Sequence, residues 1–119
     1  MAGPLLPRAS DAEVSAEKLR DYALNPDHHL GRHKARVFRS ALAITQEDWR
    51  YLRDQILEHL SATPVTAIRP KSPHGLEYEV RLPIDGLNGE THTVVTGWLV
   101  AEDQPPRLLT TYVEVPKRG

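Results

Sequence analysis

The residues of this sequence that are best suited to chemistry lie in the polar segment Asn25–Lys34, NPDHHLGRHK, which leads into a predicted helix near Gly31. Backbone N–H groups at a helix N-terminus have no partner within the helix and lie at the positive end of its dipole. His33 and Lys34 would add to such an anion site, and Gly31 would allow a close backbone approach. A turn fixed by Gly31 and an ordinary solvated face would account for the same residues.

The three histidines of this segment also raise the question of a metal site. His29 and His33 are four residues apart, and two imidazoles at that spacing on a helix can share a zinc ion. Pro26 and Gly31 oppose a regular helix through His29, and the chain contains no cysteine. We therefore expect no metal site and no cofactor.

A second polar cluster lies on the last predicted strand, RLLTTYVEV, where Arg107 is followed by Thr110 and Tyr112. The guanidinium fork of arginine can donate two hydrogen bonds to a phosphate, and hydroxyls can add more. Strict alternation along the strand would place Arg107 on the face of Thr111, and Thr110 on the face of Tyr112. Threonine and tyrosine are also common strand residues, so a purely structural strand fits the pattern as well.

The sequence around these clusters predicts an α+β fold, in which N-terminal helices pack on a mostly antiparallel four-stranded sheet and thereby position the clusters. A first helix, capped by Ser15, would end at Ala23 before Asn25-Pro26. The second would begin near Gly31, and the third would run from Thr45 to Ala62. From Val65 the hydrophobic period changes to two, with strands in VTAIR, LEYEVRL, THTVVTGWLV and RLLTTYVEV.

Tight connections between these strands predict an antiparallel meander, and Pro83 is expected to end the second strand. We expect the helices to cover one face of the sheet. The residues expected inside are Phe38, Trp49, Leu52, Ile56, Tyr78, Val80 and Leu82.

Composition limits the remaining possibilities. The 119 residues fit one domain, predicted to span residues 12–116 after a flexible tail of residues 1–11 outside the core. The absence of cysteine suits a reducing compartment, so we expect a cytoplasmic protein, and no apolar run is long enough for a membrane. The net charge of −1 gives no global attraction to nucleic acid. However, Arg32, Lys34, Arg36 and Arg39 fall in a stretch without acidic residues.

A family resemblance adds to these observations. The segment KLRDYALNPDHHLGRHKARVFRSAL, followed by GWLV and PPRLLTTYV, resembles an uncharacterised bacterial domain family grouped with the barnase/EndoU/colicin/RelE-like nucleases, and the likeness extends from Lys18 to Val113. Ala43 stands where the family pattern has glycine. The positions that match the pattern are Lys18, Leu19, Tyr22, Asn25, Pro26, Gly31, His33, Lys34, Ala35, Phe38, Pro106, Arg107, Leu108, Thr110 and Tyr112. The resemblance implies a ribonuclease toxin with a neutralising partner.

RNA carries its own nucleophile, the 2′-OH, so a metal-independent ribonuclease needs only an acid, a base and cations that stabilise charge on the phosphate. We hypothesise a metal-independent endoribonuclease, the toxin of a toxin–antitoxin or related conflict system, with RNA, an antitoxin protein and the ribosome as candidate partners. His33 would act as acid or base, Lys34 and Arg107 would stabilise charge, and Thr110 and Tyr112 would orient the substrate or transfer a proton. The predicted substrate-binding residues are Lys18, Asn25, Arg32 and Arg36. The alternative is a non-catalytic RNA-binding or protein-interaction module, which the near-neutral charge favours.

Overall fold

The computed structural model describes residues 3–73 and 75–115 and contains helical segments followed by four strands. The helices are α1 (Ala16–Lys18), which continues as a π-helical turn (Leu19–Ala23), α2 (Arg32–Leu42) and α3 (Trp49–Leu60). The strands are β1 (Val65–Ser72), β2 (Gly75–Asp85), β3 (Thr91–Ala101) and β4 (Arg107–Val113). Short 3-10 turns occupy Ala9–Asp11 and Gln46–Asp48. Residues 1 and 2 of the predicted tail lie outside the described residues, and so does residue 116, the last of the predicted domain.

The strands form one antiparallel sheet in the order β1-β2-β3-β4, as the meander predicted. Helix α3 packs against β2, and α2 packs against β3 and β4. The predicted α+β fold is therefore confirmed. The core forms between the helices and one face of the sheet, and its largest fully buried side chains include Trp98, Phe38, Leu19, Leu52, Ile56 and Leu82. Tyr78, expected inside, is only partly buried, next to the half-exposed Ile68 of the edge strand β1.

The first helix begins where its capping residue predicts but does not remain α-helical. The Ser15 hydroxyl accepts a hydrogen bond from the Lys18 amide, and the chain then widens into the π-helical turn. Leu19 and Ala23 are both fully buried, so this turn is anchored in the core. The turn also contains Tyr22, which lies between Leu19 and Ala23 in the sequence.

Helix α3 has the start that its sequence predicts. The Asp48 carboxylate accepts a hydrogen bond of 2.9 Å from the Thr45 amide, and the Thr45 side chain accepts one from the Asp48 amide, which together form a capping box. Trp49 follows directly, and the guanidinium groups of Arg20, Arg50 and Arg53 lie 4.6–5.8 Å from its ring. These arginines help to cover an indole that is only 9% exposed.

Pro83 does not end β2, contrary to the prediction. It lies within the strand and pairs with Thr93 of β3. Strand β1 begins to pair with β2 only at Val80, so no residue of β1 pairs with β2 beside Pro83. Proline lacks a backbone N–H and is tolerated in a strand where no partner requires one.

The N-terminal segment contributes to the core, which corrects the expectation that residues 1–11 lie outside it. Leu6 is 3% exposed and belongs to the hydrophobic core. The Pro4 carbonyl accepts a hydrogen bond of 2.8 Å from the Val65 amide. The segment is therefore tied to the start of the sheet by a side chain and by its backbone.

A β-bulge in β4 changes the predicted faces of that strand. Thr110 pairs with Gly97 and Leu108 pairs with Trp98, so Leu109 is an additional residue without an opposite partner. Arg107 pairs with Leu99, two residues from Gly97, and residues directly opposite one another share a face. Arg107 therefore lies on the face of Thr110 rather than on that of Thr111, as strict alternation had predicted.

Ala43 stands where the resemblance predicts a glycine, and its backbone has a conformation that glycine favours. It has a φ of 54° and ends α2 in the left-handed region, with its amide bonded to the Arg39 carbonyl. We expect Ala43→Gly to raise the free energy of unfolding by about 0.5–1 kcal/mol, because glycine adopts this conformation without a Cβ penalty. Urea denaturation would measure the change. Ser40→Gly, within the helix, should lower stability by about 0.5 kcal/mol, and a gain at both positions would contradict this explanation.

Candidate functional site

The site is built around the ammonium group of Lys34, in the first turn of α2. Its Nζ donates hydrogen bonds to the Tyr22 hydroxyl, at 3.0 Å, and to the Thr110 hydroxyl, at 2.8 Å. The same atom lies 4.7 Å from the centre of the Tyr22 ring and 5.9 Å from that of Tyr112. Lys34 therefore joins the π-helical turn, α2 and β4 at one point.

The charge of Lys34 has no carboxylate partner in the part of the chain that the structure describes. Every ion pair found there uses another cation. The lysine is also partly buried, so water compensates its charge less well than at a fully exposed position. A partly buried cation held only by neutral hydroxyls is suited to bind an anion.

The two hydroxyls that hold Lys34 are oriented by it. Each accepts a hydrogen bond from the ammonium group, which uses a lone pair on its oxygen and leaves its own O–H able to donate. Lysine carries three N–H donors, and two of them are occupied here. The remaining N–H of Lys34 and the O–H groups of Tyr22 and Thr110 can therefore serve as donors to one anionic ligand.

Tyr22 and Thr110, whose hydroxyls hold Lys34, line an open cleft of about 510 Å³ between the first helical segment and β4, and Lys34 lies behind them rather than among the lining residues. The cleft is lined by Glu17, Lys18, Asp21, Tyr22, His28, Leu109 and Thr110. The bulged residue Leu109 is one of them, so the irregularity of β4 contributes directly to the wall of the cleft.

The loop before α2 fixes the position of Tyr22. A Cβ atom on Gly31 would lie 2.1 Å from the Tyr22 carbonyl oxygen, so only glycine allows these backbones to pass. The Nδ1 atom of His28 accepts hydrogen bonds from the amides of Leu30 and Gly31, at 3.0 and 2.9 Å. Its ring meets the Tyr22 ring edge-on at 4.8 Å, and because Nδ1 is an acceptor the neutral ring carries its proton on Nε2.

The cleft also contains negative charge. Two side-chain nitrogens of Arg20 hydrogen-bond to the Asp21 carboxylate, at 2.8 and 3.1 Å. This hydrogen bonding lowers the pKa of Asp21, so the carboxylate stays ionised at neutral pH. Glu17 forms no ion pair within residues 3–73 and 75–115. The cleft therefore combines an anion site with a carboxylate that is available for proton transfer.

The structure brings together four of the residues predicted from the sequence. Lys34 contacts Thr110 directly and lies near the Tyr112 ring, while Lys18 lines the same cleft. Sequence reasoning did not select Tyr22 or His28 for the site. Gly31 permits a close backbone approach to the Tyr22 carbonyl. The glycine therefore marked a contact with Tyr22, nine positions earlier, as a feature of the site.

The other predicted residues lie elsewhere. His33 and Arg107 are exposed, do not line the cleft, and form no side-chain hydrogen bond among the described residues. The Asn25 side chain accepts a hydrogen bond from the Asp27 amide and donates one to the Asp21 carbonyl, so it shapes the loop. Arg32 and Arg36 line a separate groove.

Two further kinds of feature are not found in the residues that the structure describes. No group of three or more histidine, aspartate or glutamate side chains in residues 3–73 and 75–115 is arranged to hold a metal ion. No helix in the same residues has the length and apolar character needed to cross a membrane.

Comparison with known proteins gives one match. Residues 5–115 match the model of a family described as "Domain of unknown function (DUF6883)", which covers the helices, the sheet and every residue of the cleft. No curated protein and no solved structure matches the chain. The predicted membership of an uncharacterised domain family is confirmed, whereas its link to nucleases stays a prediction. The chain belongs to the DUF6883 family.

Proposed function

We propose that this protein is a metal-independent endoribonuclease, the toxin of a toxin–antitoxin or related conflict system acting in the cytoplasm, with the cleft lined by Tyr22 and Thr110, beside Lys34, as its active site. The observation that carries the proposal is the partly buried Lys34 ammonium, which is held by two hydroxyls and has no carboxylate partner among the described residues. The resemblance to a family grouped with nucleases supports the same proposal, and the cysteine-free composition supports its cytoplasmic location.

The reaction would be an internal transfer within RNA. The 2′-OH attacks the adjacent phosphorus, the bond to the 5′ oxygen breaks, and a 2′,3′-cyclic phosphate and a free 5′-OH result. Negative charge grows on the non-bridging phosphate oxygens as the reaction proceeds, and donors fixed in advance stabilise it. Lys34, Tyr22 and Thr110 are such donors because the ammonium already orients both hydroxyls.

The reaction also needs a base for the 2′-OH and an acid for the leaving oxygen. Within the cleft, Glu17 is suited to the base, and the Nε2–H of His28 can donate a hydrogen bond to the leaving oxygen. His33, which immediately precedes Lys34, keeps its predicted role as acid or base. Arg107 keeps its predicted role in charge stabilisation, as a residue that shares a strand face with Thr110.

The proposal predicts a particular substrate dependence. Purified protein should cleave a mixed-sequence RNA oligonucleotide into products with 2′,3′-cyclic ends, whereas DNA of the same sequence should stay intact because it lacks the 2′-OH. A chelator should leave the rate and the melting temperature unchanged. Gel separation and mass spectrometry of the products over a series of pH values would measure this. A folded protein that cleaves none of several RNAs would end the enzyme proposal.

Three variants assayed in parallel would assign the proton-transfer and charge roles. On the sequence hypothesis, His33→Ala abolishes cleavage and Arg107→Ala lowers its rate by about two to three orders of magnitude. His28→Asn is the companion variant, because an amide oxygen can still accept hydrogen bonds from the two backbone amides. Full activity in His33→Ala together with loss of activity in His28→Asn would show that cleavage depends on His28 and not on His33.

A non-catalytic RNA-binding or protein-interaction module is the second candidate. The carboxylates of Glu17 and Asp21 in the cleft favour its protein-interaction form over its RNA-binding form, because they oppose the close approach of a phosphate. RNA binding whose affinity falls with salt, without any cleaved product, would support this candidate.

A further inference from the structure

A second groove, of about 630 Å³, lies on another side of α2. Its apolar part is formed by Leu24, Pro26 and Ala35, and its polar lining residues are Arg32, Arg36, Arg39, Ser40, Thr45, Gln46 and Glu47. Successive residues of an α-helix are about 100° apart, so Arg36 and Arg39 point roughly 140–160° away from Lys34. The groove is therefore distinct from the cleft.

The arginines of the groove form a cationic stripe on α2. In the described residues neither Arg36 nor Arg39 has a carboxylate within ion-pair distance, while Arg32 donates a 2.7 Å hydrogen bond to the His29 carbonyl. Five other arginines of the described residues are paired with carboxylates, namely Arg8, Arg20, Arg53, Arg69 and Arg81, whereas Arg50 and Arg107 are not. Glu47 is the one carboxylate among the residues that line the groove.

We propose that this groove docks an acidic amphipathic helix of a partner protein. The groove offers apolar surface beside guanidinium groups, and an amphipathic helix with flanking carboxylates complements both. Arg32 and Arg39 are separated by about 10 Å along the axis of α2, which matches two turns of a partner helix.

The lining of the groove favours a protein over RNA. Single-stranded nucleic acid is bound by cationic grooves in which aromatic side chains stack on the bases. The residues that line this groove include no aromatic side chain. RNA would therefore use only the arginines, whereas an amphipathic helix would use the apolar floor as well.

Labelled peptides would test the proposal by fluorescence anisotropy. The first has leucine at two positions of each heptad and glutamate at the remaining surface positions, the second has the same composition in scrambled order, and the third replaces glutamate by lysine. We expect the first to bind at least tenfold more tightly than the scrambled peptide, and the lysine peptide not to bind. Equal binding of the first two, or no binding of the first, would overturn the proposal.

Charge-reversal variants would place the binding in the groove. Arg36→Glu with Arg39→Glu should weaken binding of the acidic amphipathic peptide at least tenfold. Arg8→Glu with Lys71→Glu changes the net charge equally at exposed positions elsewhere and should leave the affinity within twofold. Circular dichroism would confirm that both proteins are folded.

Equal losses in the two double variants, or a larger loss of affinity for a single-stranded RNA than for the peptide in the groove variant, would overturn the proposal. RNA cleavage is not a readout of these assays, so their outcome is independent of the proposed enzyme.

Discussion

Lys34→Met is expected to lower the rate of RNA cleavage by about two to three orders of magnitude, the usual loss when one donor to developing charge is removed. Methionine keeps the apolar stem of the side chain, so the packing beside Tyr22 is largely retained and the protein should stay folded. Without the ammonium, the hydroxyls of Tyr22 and Thr110 also lose the group that orients them. The single-turnover rate on an RNA oligonucleotide would measure the loss.

Lys18→Met is the matched control for this variant. Lys18 lines the cleft beside Lys34 and carries the same charge, but it holds neither hydroxyl. We therefore expect a smaller loss, mainly in substrate affinity and reduced by added salt. Equal rates for Lys34→Met and the unaltered protein would show that the ammonium does not stabilise the transition state.

Gly31→Ala is expected to destabilise the fold by about 3 kcal/mol, near the upper end for an added methyl group without space. The new Cβ would lie 2.1 Å from the Tyr22 carbonyl oxygen and 2.8 Å from its carbon, and backbone atoms cannot rotate away as a side chain can. We expect the melting temperature to fall by about 10 °C or more. Differential scanning calorimetry would measure it.

Gly89→Ala provides the comparison for Gly31→Ala. Gly89 has a φ of +83°, but no atom lies within 4 Å of the Cβ that would be added there. Its cost is therefore limited to backbone strain of about 1–2 kcal/mol. If Gly31→Ala were no more destabilising than Gly89→Ala, the close approach to Tyr22 would not be a constraint on the fold.

Much of the fold could be predicted from local patterns because local interactions create those features. Thr45 and Asp48 form the capping box at short range, and the alternation in LEYEVRL reports burial on one face of β2. The errors have non-local causes. Pro83 is tolerated because β1 starts opposite Val80, and the face of Arg107 depends on a bulge that alternation within β4 does not reveal.

The candidate site could be predicted only in part for the same reason. Residue chemistry identified Lys34 and Thr110 as polar groups suited to an anion, and the fold joins them by a hydrogen bond. Tyr22 and His28 escaped selection because their importance comes from contacts across the loop that leads into α2. His33 resembles a catalytic residue in sequence, yet its neighbour Lys34 is the residue that turns towards β4.

The bond between Lys34 and Thr110 joins positions that are 76 residues apart, and this separation has a consequence for the order of assembly. During synthesis the chain emerges from its N-terminus, so Lys34 and Tyr22 are available long before β4 exists. Contacts at such separation are also slow to form because a long loop must close first. A nascent chain that lacks β4 has only one wall of the cleft. The site is therefore completed late, when the last strand of the sheet pairs with β3.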